Sequence, residues 1–349
     1  MKPALFFDWG DTLMVDYKEF SGPMVTWPKV TCVDGVANVL PGLQAGYDLY
    51  VATNASESGK AQVRAALDRA GIGIHFSEIF TARELGLTKL QEPYYPAILS
   101  LLDEKPPFQV MTGDHYTTDV LNPQKAGFLT IWFNPGYNLP PDLPWHNAEI
   151  HHFSELPAAL SQINQPDIPS CLAWLNTQEM PVNLLKHSQA VAQVAYRLAL
   201  WLKQSGLRSL NPVLAHRGGL LHDLDKLSSR ETGDRHGELS QRLLDNWGQP
   251  ELGLIARRHL MDRILNPEEA PATWEEKLVF FADKLVEGYA VVPLNARFEA
   301  LTTRYASRAE QIWACLPAVE ALQTDICCRL DCSPMDLIEK IKSKPLIFE

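Results

Sequence analysis

An α/β domain built on a parallel sheet, followed by an all-helical domain, is the fold this chain predicts, and three observations predict it. Short β-rich runs alternate with helical stretches over roughly the first 163 residues. A proline-containing interval without clear periodicity follows at 164–181, and beyond it helical spacing continues with almost no strand signal. The length of 349 residues allows about two domains, and a composition of 46% apolar and 21% charged residues lets each bury a core.

The elements follow in order. Apolar runs predict strands at Ala4–Phe7, Leu49–Thr53, Glu78–Thr81, Val110–Thr112, Thr130–Phe133 and Glu149–Phe153, with helices near 35–46, 57–70, 93–103, 118–126 and 154–163 between and after them. Strands separated by helices of this length form parallel sheets through crossover connections, with functional residues at the carboxyl ends of the strands. Asp8, Thr53 and Asp114 each fall at or just past such an end. The stretch NQPDIPSCLAWLNTQEMP reads as a linker with room for one short helix. In the second half Leu184, His187, Ser188, Val191, Ala195 and Leu198 repeat at helical spacing, as do stretches near 211–224, 237–246, 251–262, 274–290 and 309–330. The expected divisions are 1–165, a linker at 166–181, and 182–349.

Charge narrows the function. Thirty-one Lys and Arg stand against 42 Asp and Glu, a net charge of −11. That makes nucleic acid an unlikely general partner, because a binding surface for it needs a basic stripe. Small phosphorylated substrates remain open, since a metal and a few cations meet their charge locally. The opening MKPALFFDWGDTL lacks the long apolar region of a signal peptide, and no segment approaches the roughly 20 apolar residues of a membrane span. The six cysteines show no paired metal-type spacing; Cys327, Cys328 and Cys332 read as reduced thiols on a helix rather than metal ligands. A cytoplasmic protein without membrane attachment is expected.

The first half carries a phosphate-chemistry constellation. Asp8 follows ALFF, Thr53-Asn54 follow LYVA, Lys89 lies in LTKLQEP, and Asp114 and Asp119 lie in VMTGDHYTTDV. A carboxylate can attack phosphorus, a divalent cation can neutralise anion repulsion, and a hydroxyl with an ammonium can hold phosphate oxygens. Singly, an Asp after a strand is a turn former and a surface Lys is solvated; the combination, in this order at strand ends, is poorly explained by chance.

Over residues 1–163 these motifs resemble the haloacid-dehalogenase-like (HAD) superfamily. The resemblance implies Asp8 as nucleophile, Thr53 in the second motif and Lys89 in the third, with Asn54 beside Thr53 at the phosphate. It implies Mg²⁺ held by Asp8, the Gly10 carbonyl, Asp114 and Asp119. One departure stands out: the family's phosphatases carry a second Asp two residues after the nucleophile as general acid and base, and here that residue is Gly10. Loss of such a group costs roughly 10²–10⁴-fold. Asp11 and His115 are candidate replacements, against the plainer reading of Asp11 as a turn former. The intervals between motifs leave little or no room for a cap domain.

The helical half gathers His187, His222-Asp223 and Lys226 in LLHDLDK, His236 in RHGELS, His259 in ARRH and Asp283 in FADK. Imidazoles and carboxylates on several helices suit a buried metal. A lone His on an apolar helix face is more often a satisfied core residue, but five such elements weigh against that. Residues 182–290 resemble the HD-domain metal-dependent phosphohydrolases, with His187, His222-Asp223 and Asp283 filling H…HD…D. Asp225 stands where a small residue is frequent. His236 and His259 fall where some subfamilies supply ligands to a second metal. The resemblance implies one or two divalent metals, such as Fe, Mn, Zn or Mg, and attack on phosphorus by a metal-bound hydroxide. Lys226 is a candidate catalytic cation and Arg257 and Arg258 are candidate phosphate binders, each arginine equally readable as a solvated helix charge; Arg297 and Arg304 are further cations for the cleft.

The expectation is a two-domain metal-dependent phosphohydrolase acting on a nucleotide or another phosphate ester or anhydride. Two alternatives stay open: a nucleotide-sensing or scaffold protein without turnover, and a nucleic-acid end-processing phosphatase.

Overall fold

The computed structural model describes residues 2–229, 233 and 235–348. Backbone packing divides the chain into two compact units, Met1–Pro141 with Trp145–Asn164, and Asp142–Pro144 with Gln165–Glu349.

The first unit is built on six parallel strands: β1 (Ala4–Phe7), β2 (Asp48–Thr53), β3 (Glu78–Thr81), β4 (Gln109–Gly113), β5 (Leu129–Phe133) and β6 (Ala148–Ile150). Their spatial order is β3-β2-β1-β4-β5-β6, with parallel pairing throughout. Alternate residues of the strands serve opposite faces. Leu5, Phe7, Val51, Val110 and Ile131 join one apolar cluster, while Ala4, Phe6, Ala52, Phe80 and Met111 join another. Both faces being covered explains why these strands read as continuous apolar runs rather than alternating ones. Helices α1 (Val36–Leu43), α2 (Lys60–Arg69), α3 (Ala82–Leu85), α4 (Tyr94–Ser100), α5 (Asn122–Lys125) and α6 (Leu156–Ser161) complete the unit. The chain leaves β1 toward β2 on one side and β4 lies on the other, so the sheet's direction of winding reverses between β1 and β4. Ligands of open parallel sheets gather beyond the carboxyl ends at such a point.

The second unit begins within the interval read as a linker. Ile168–Thr177 form α7, with the Asp167 side chain capping Ser170 N and with Cys171 and Leu175 buried. Next come α8 (Val182–Gln204), α9 (Pro212–Leu221), α10 (Glu238–Asn246), α11 (Pro250–Arg258), α12 (Trp274–Asp283), α13 (Leu294–Arg304), α14 (Ala309–Leu330) and α15 (Pro334–Lys342). From His187 to Lys203 every residue of α8 is buried, and so is the whole of α9. A helix enclosed on all sides is a central core element. The two approach closely at Gly219, where an added Cβ would lie 2.5 Å from Ala192 Cα.

Two expectations need correction. The helical stretch read to residue 290 stops at Asp283, because the chain turns at Gly288 (φ +59°) into a short antiparallel hairpin, Val286–Glu287 with Ala290–Val291. The strand read to Phe153 ends at Ile150, and Phe153–Glu155 already form a tight helical turn.

Candidate metal centres in two units

In the first unit β1, β2 and β4 deliver Asp8, Thr53 and Asp114 to one edge of the sheet. Lys89, fully buried, reaches between two carboxylates: its Nζ pairs with Asp8 Oδ1 and lies 2.8 Å from Asp119 Oδ1. Its backbone is held at both ends, the amide donating to Asn54 Oδ1 at 2.7 Å and the carbonyl accepting from Asn122 Nδ2 at 2.8 Å. Asp119 Oδ2 accepts from His115 N at 3.0 Å. This packing demands Gly113, where a Cβ would meet Asp119 Cγ at 2.4 Å. Thr12 Oγ1 donates to Asp114 Oδ1 and accepts from Asp114 N, both at 3.1 Å. One oxygen from each of Asp8, Asp114 and Asp119 lies within 4.8 Å of the others. Burial pushes the Asp8 carboxyl up to about 7, with Asp119 and Asp114 adding to the rise and Lys89 opposing it. A crowded site in which Asp8 and Asp114 resist ionising fits a hard divalent cation, which relieves that repulsion.

Both expected substitutes for the acid missing at Gly10 have structural work. Asp11 takes a left-handed conformation (φ 52°), its Oδ1 accepts from Asp16 N at 2.9 Å and its Oδ2 pairs with Lys18 at 3.2 Å. His115 is exposed and its Nδ1 accepts from Thr118 N. A Cβ added at Gly10 would instead find Asp16, with Cβ at 3.7 Å and Cγ at 4.0 Å. The sequence reading missed Asp16, and only the fold of the turn over residues 9–16 brings it there.

In the second unit the ligand candidates stand at helix ends. His187 lies near the start of α8, His222 and Asp223 directly follow α9, His236 precedes α10, His259 follows α11, and Asp283 closes α12. Every histidine has its Nδ1 committed to an oxygen: His187 to Gly288 O at 2.7 Å, His222 to Gly219 O at 2.8 Å, His259 to Ala256 O at 2.6 Å and His236 to Asp225 Oδ1 at 2.5 Å. A carbonyl oxygen only accepts, so in the first three cases Nδ1 carries the proton and Nε2 is left as the coordinating atom. Those Nε2 atoms meet the carboxylates: His187 lies 3.0 Å from Asp283 Oδ1, His222 3.5 Å from Asp223 Oδ2, and His236 and His259 lie 2.9 and 3.3 Å from Asp223 Oδ1. His222 Nε2 is buried and has no hydrogen-bond partner. An orphaned imidazole nitrogen facing two carboxylates fits a metal. Two ligand sets form, His187–His222–Asp223 and Asp223–His236–His259, and Asp223 belongs to both.

The electrostatics agree. Burial pushes the His222 imidazole down to about 3, so it stays neutral. Burial alone would raise Asp223 and Asp283, but neighbouring cations and imidazoles hold both well below the carboxylate range, led by Lys226 for Asp223 and Lys284 for Asp283. His236, despite burial, is lifted to about 9 by hydrogen bonds to Asp223 and Asp225.

The remaining candidates divide. Lys226 joins the site, 3.1 Å from Asp223, and Arg297 joins it 3.3 Å from Asp283. Lys284, missed in the sequence, is buried with its Nζ 2.7 Å from Asp283 Oδ2 and donating to His259 O. Arg258 is instead paired with Glu276, Arg257 with Gln241 and Glu269, and Arg304 with Glu287. These three arginines are engaged by neighbouring side chains rather than by the ligand carboxylates. Asp225 takes a role unforeseen in the sequence: beyond holding His236, its Oδ2 accepts from Gly237 N and Ser240 N at the start of α10.

Parts of the chain are similar to known proteins. The HD-domain family model matches residues 184–287. The uncharacterized protein MJ0778 of Methanocaldococcus jannaschii is 38% identical over 124 residues, 32% of this chain and 72% of that protein. YfnB of Bacillus subtilis, which carries a HAD-hydrolase designation, is 28% identical over 127 residues, 36% of this chain and 52% of its own length. Its magnesium-bound crystal structure aligns with a TM-score of 0.33 at 26% identity, covering 37% of this chain and 55% of that one. Ribonuclease Y of Aquifex aeolicus is 36% identical over 131 residues, 37% of this chain but 20% of that protein. The chain thus spans about half of YfnB and a fifth of that ribonuclease. Residues 184–287 thus carry an HD domain, joined behind a HAD-like hydrolase domain. No described helix is long and apolar enough to cross a membrane.

Proposed function

We propose that the chain hydrolyses a small phosphorylated compound, a nucleotide or another phosphate ester or anhydride, at a principal site in the helical unit. The observation that carries this reading is the set of four histidines with Nδ1 engaged and Nε2 facing Asp223 or Asp283. His187, His222, Asp223 and Asp283 would hold one divalent cation, and Asp223, His236 and His259 a second. This mixed donor set suits Fe, Mn or Zn, or Mg. Bound cations there supply a water of lowered pKa and neutralise phosphate charge. Lys226, with its side chain 28% exposed, is the cation placed to meet a phosphate oxygen. Buried Lys284 and Arg297 keep Asp283 ionised and oriented.

In the first unit Asp8 acts as nucleophile toward phosphorus, while Thr53, Asn54 and Lys89 hold the phosphate. Mg²⁺ belongs with Asp8, the Gly10 carbonyl, Asp114 and Asp119. Gly10 supplies no proton to a leaving group, so turnover there is slow. Working bounds are 1–164 for the first domain and 165–349 for the second, which takes in the segment 166–181, and the reduced-thiol composition suits the cytoplasm.

The test is metal content with phosphate release from nucleoside mono-, di- and triphosphates. His222→Ala and Asp223→Ala lose metal and most hydrolysis, whereas Asp8→Asn retains both. A metal-free wild type whose hydrolysis none of these variants alters would refute the reading. Gly10 favours a second reading for the first unit alone, phosphate binding without turnover; calorimetry with inorganic phosphate and Mg²⁺, beside product analysis, separates the two.

A further inference from the structure

Outside both metal centres, one group of nucleophilic side chains stands together at the end of α14. The sequence CCRLDCSPMD places Cys327 and Cys328 in the last turn of that helix and Cys332 just beyond it. The helix closes with two backbone bonds, Cys332 N to Cys327 O at 3.1 Å and Asp331 N to Cys328 O at 3.4 Å, around Asp331 in the left-handed region (φ 49°). This is the Schellman arrangement, in which the third residue from the helix end and the second residue past it bring their side chains into contact. That contact is ordinarily between apolar groups. Here both residues are cysteines, joined across the cap by the Cys332 N to Cys327 O bond and facing the same depression. Cys328 is not the natural partner of Cys327, because successive helix residues point about 100° apart. All three cysteines border an open depression with Asp331, Ser333 and Asp336.

We propose that Cys327 and Cys332 are a modification site for low-molecular-weight disulfides, closing reversibly into a disulfide across the cap of α14. Cys332, the more exposed of the two, enters first. Its thiolate attacks one sulfur of a reagent such as glutathione disulfide, the reagent's S–S bond breaks, and one small thiolate leaves and takes up a proton. Cys327 then loses its proton and attacks Cys332 Sγ, expelling the second small thiol. Two protein thiols and one small disulfide become one protein disulfide and two small thiols. Burial and the adjacent Cys332 push the Cys327 thiol up to about 12, which disfavours it as the first attacker; the contribution of Cys332 to that rise ends once its sulfur is in the mixed disulfide. The backbone bond already spans the pair, so closure needs side-chain rotation and little main-chain movement.

The full chain, and a Cys328→Ser variant that removes the exposed neighbour, are incubated with glutathione disulfide, alkylated and mapped by peptide mass. The expected product in both is a Cys327–Cys332 link without retained glutathione, reversed by dithiothreitol. Cys327→Ser then traps glutathione on Cys332, and Cys332→Ser leaves Cys327 unmodified. A stable glutathione adduct on Cys332 of the full chain, a link through Cys328, or no reaction at either cysteine overturns the proposal. Circular dichroism of each variant confirms that the comparison is between folded proteins.

Discussion

The two metal centres solve one problem, gathering negative charge without scattering it, by different means. In the α/β unit three carboxylates converge at the edge of the sheet and a single buried cation, Lys89, bridges two of them. In the helical unit imidazoles stand among the carboxylates, and Lys226, Lys284 and Arg297 flank them. The consequence is opposite behaviour in the key acids. Asp8 is pushed up toward neutrality, whereas Asp223 and Asp283 are held ionised. A centre that keeps its carboxylates charged before metal arrives is the better prepared of the two. The first centre also has Gly10 in place of an acid at position 10.

The largest expected effect breaks the helical centre. Because Asp223 belongs to both ligand sets, Asp223→Ala removes metal at both positions and takes hydrolysis to background, as read by metal analysis and phosphate release. His259→Ala should spare the set formed by His187, His222 and Asp223.

The comparison is sharpened next by repairing the weaker centre. Gly10→Asp meets no atom closer than 3.7 Å at its Cβ, and it restores a proton donor worth roughly 10²–10⁴-fold. Phosphatase activity that depends on Asp8 should rise accordingly, most steeply for substrates with poor leaving groups. An unchanged rate would mean that the missing proton is not what separates the two centres.

Asp225→Asn acts more gently. It keeps the size of the side chain that holds His236 Nδ1 but weakens that bond, as loss of an outer partner does to other metal-bound histidines. Affinity for the second metal should fall about 10–100-fold, visible by calorimetry, with the first metal unaffected.

The smallest effect is a pair of pH windows in metal-free protein. The folded first unit keeps a proton on Asp8 that the unfolded chain has released between 3.8 and about 7. Stability of that unit therefore falls as pH rises through this window. His236, raised from 6.5 to about 9, contributes stability that is full below 6.5 and is lost as pH rises through 9. Thermal melts across pH, read separately for each unit by hydrogen exchange, should show the two declines in sequence. Added Mg²⁺ should flatten the first.

Much of this was legible in the chain because it is local. Apolar runs of three to five residues located every strand of the first sheet, and the residue just past a strand end is a position that periodicity alone supplies. The HD pair and its partners were legible as residue types in order. Asp16, Lys284 and the second role of Asp225 were not. Each acquires its meaning from a neighbour that no spacing rule points to: a turn that folds back over Gly10, a helix end beside His259, and a helix start that needs an acceptor. The partners of Arg257 and Arg258 were hidden for the same reason, since Glu269, Gln241 and Glu276 lie on other elements.

The sequence by itself determined two domains of different class, the order of two phosphate-chemistry motif sets and the absence of an acid at position 10, because periodicity and chemistry-bearing residues are written along the chain. Tertiary structure alone decided which nitrogen of each histidine faces the site, that Asp223 serves both ligand sets, and which cations stand beside which carboxylates. Those are facts about hydrogen bonds and ion pairs between residues far apart in the chain, and their energies depend on distance and burial, which only folding sets.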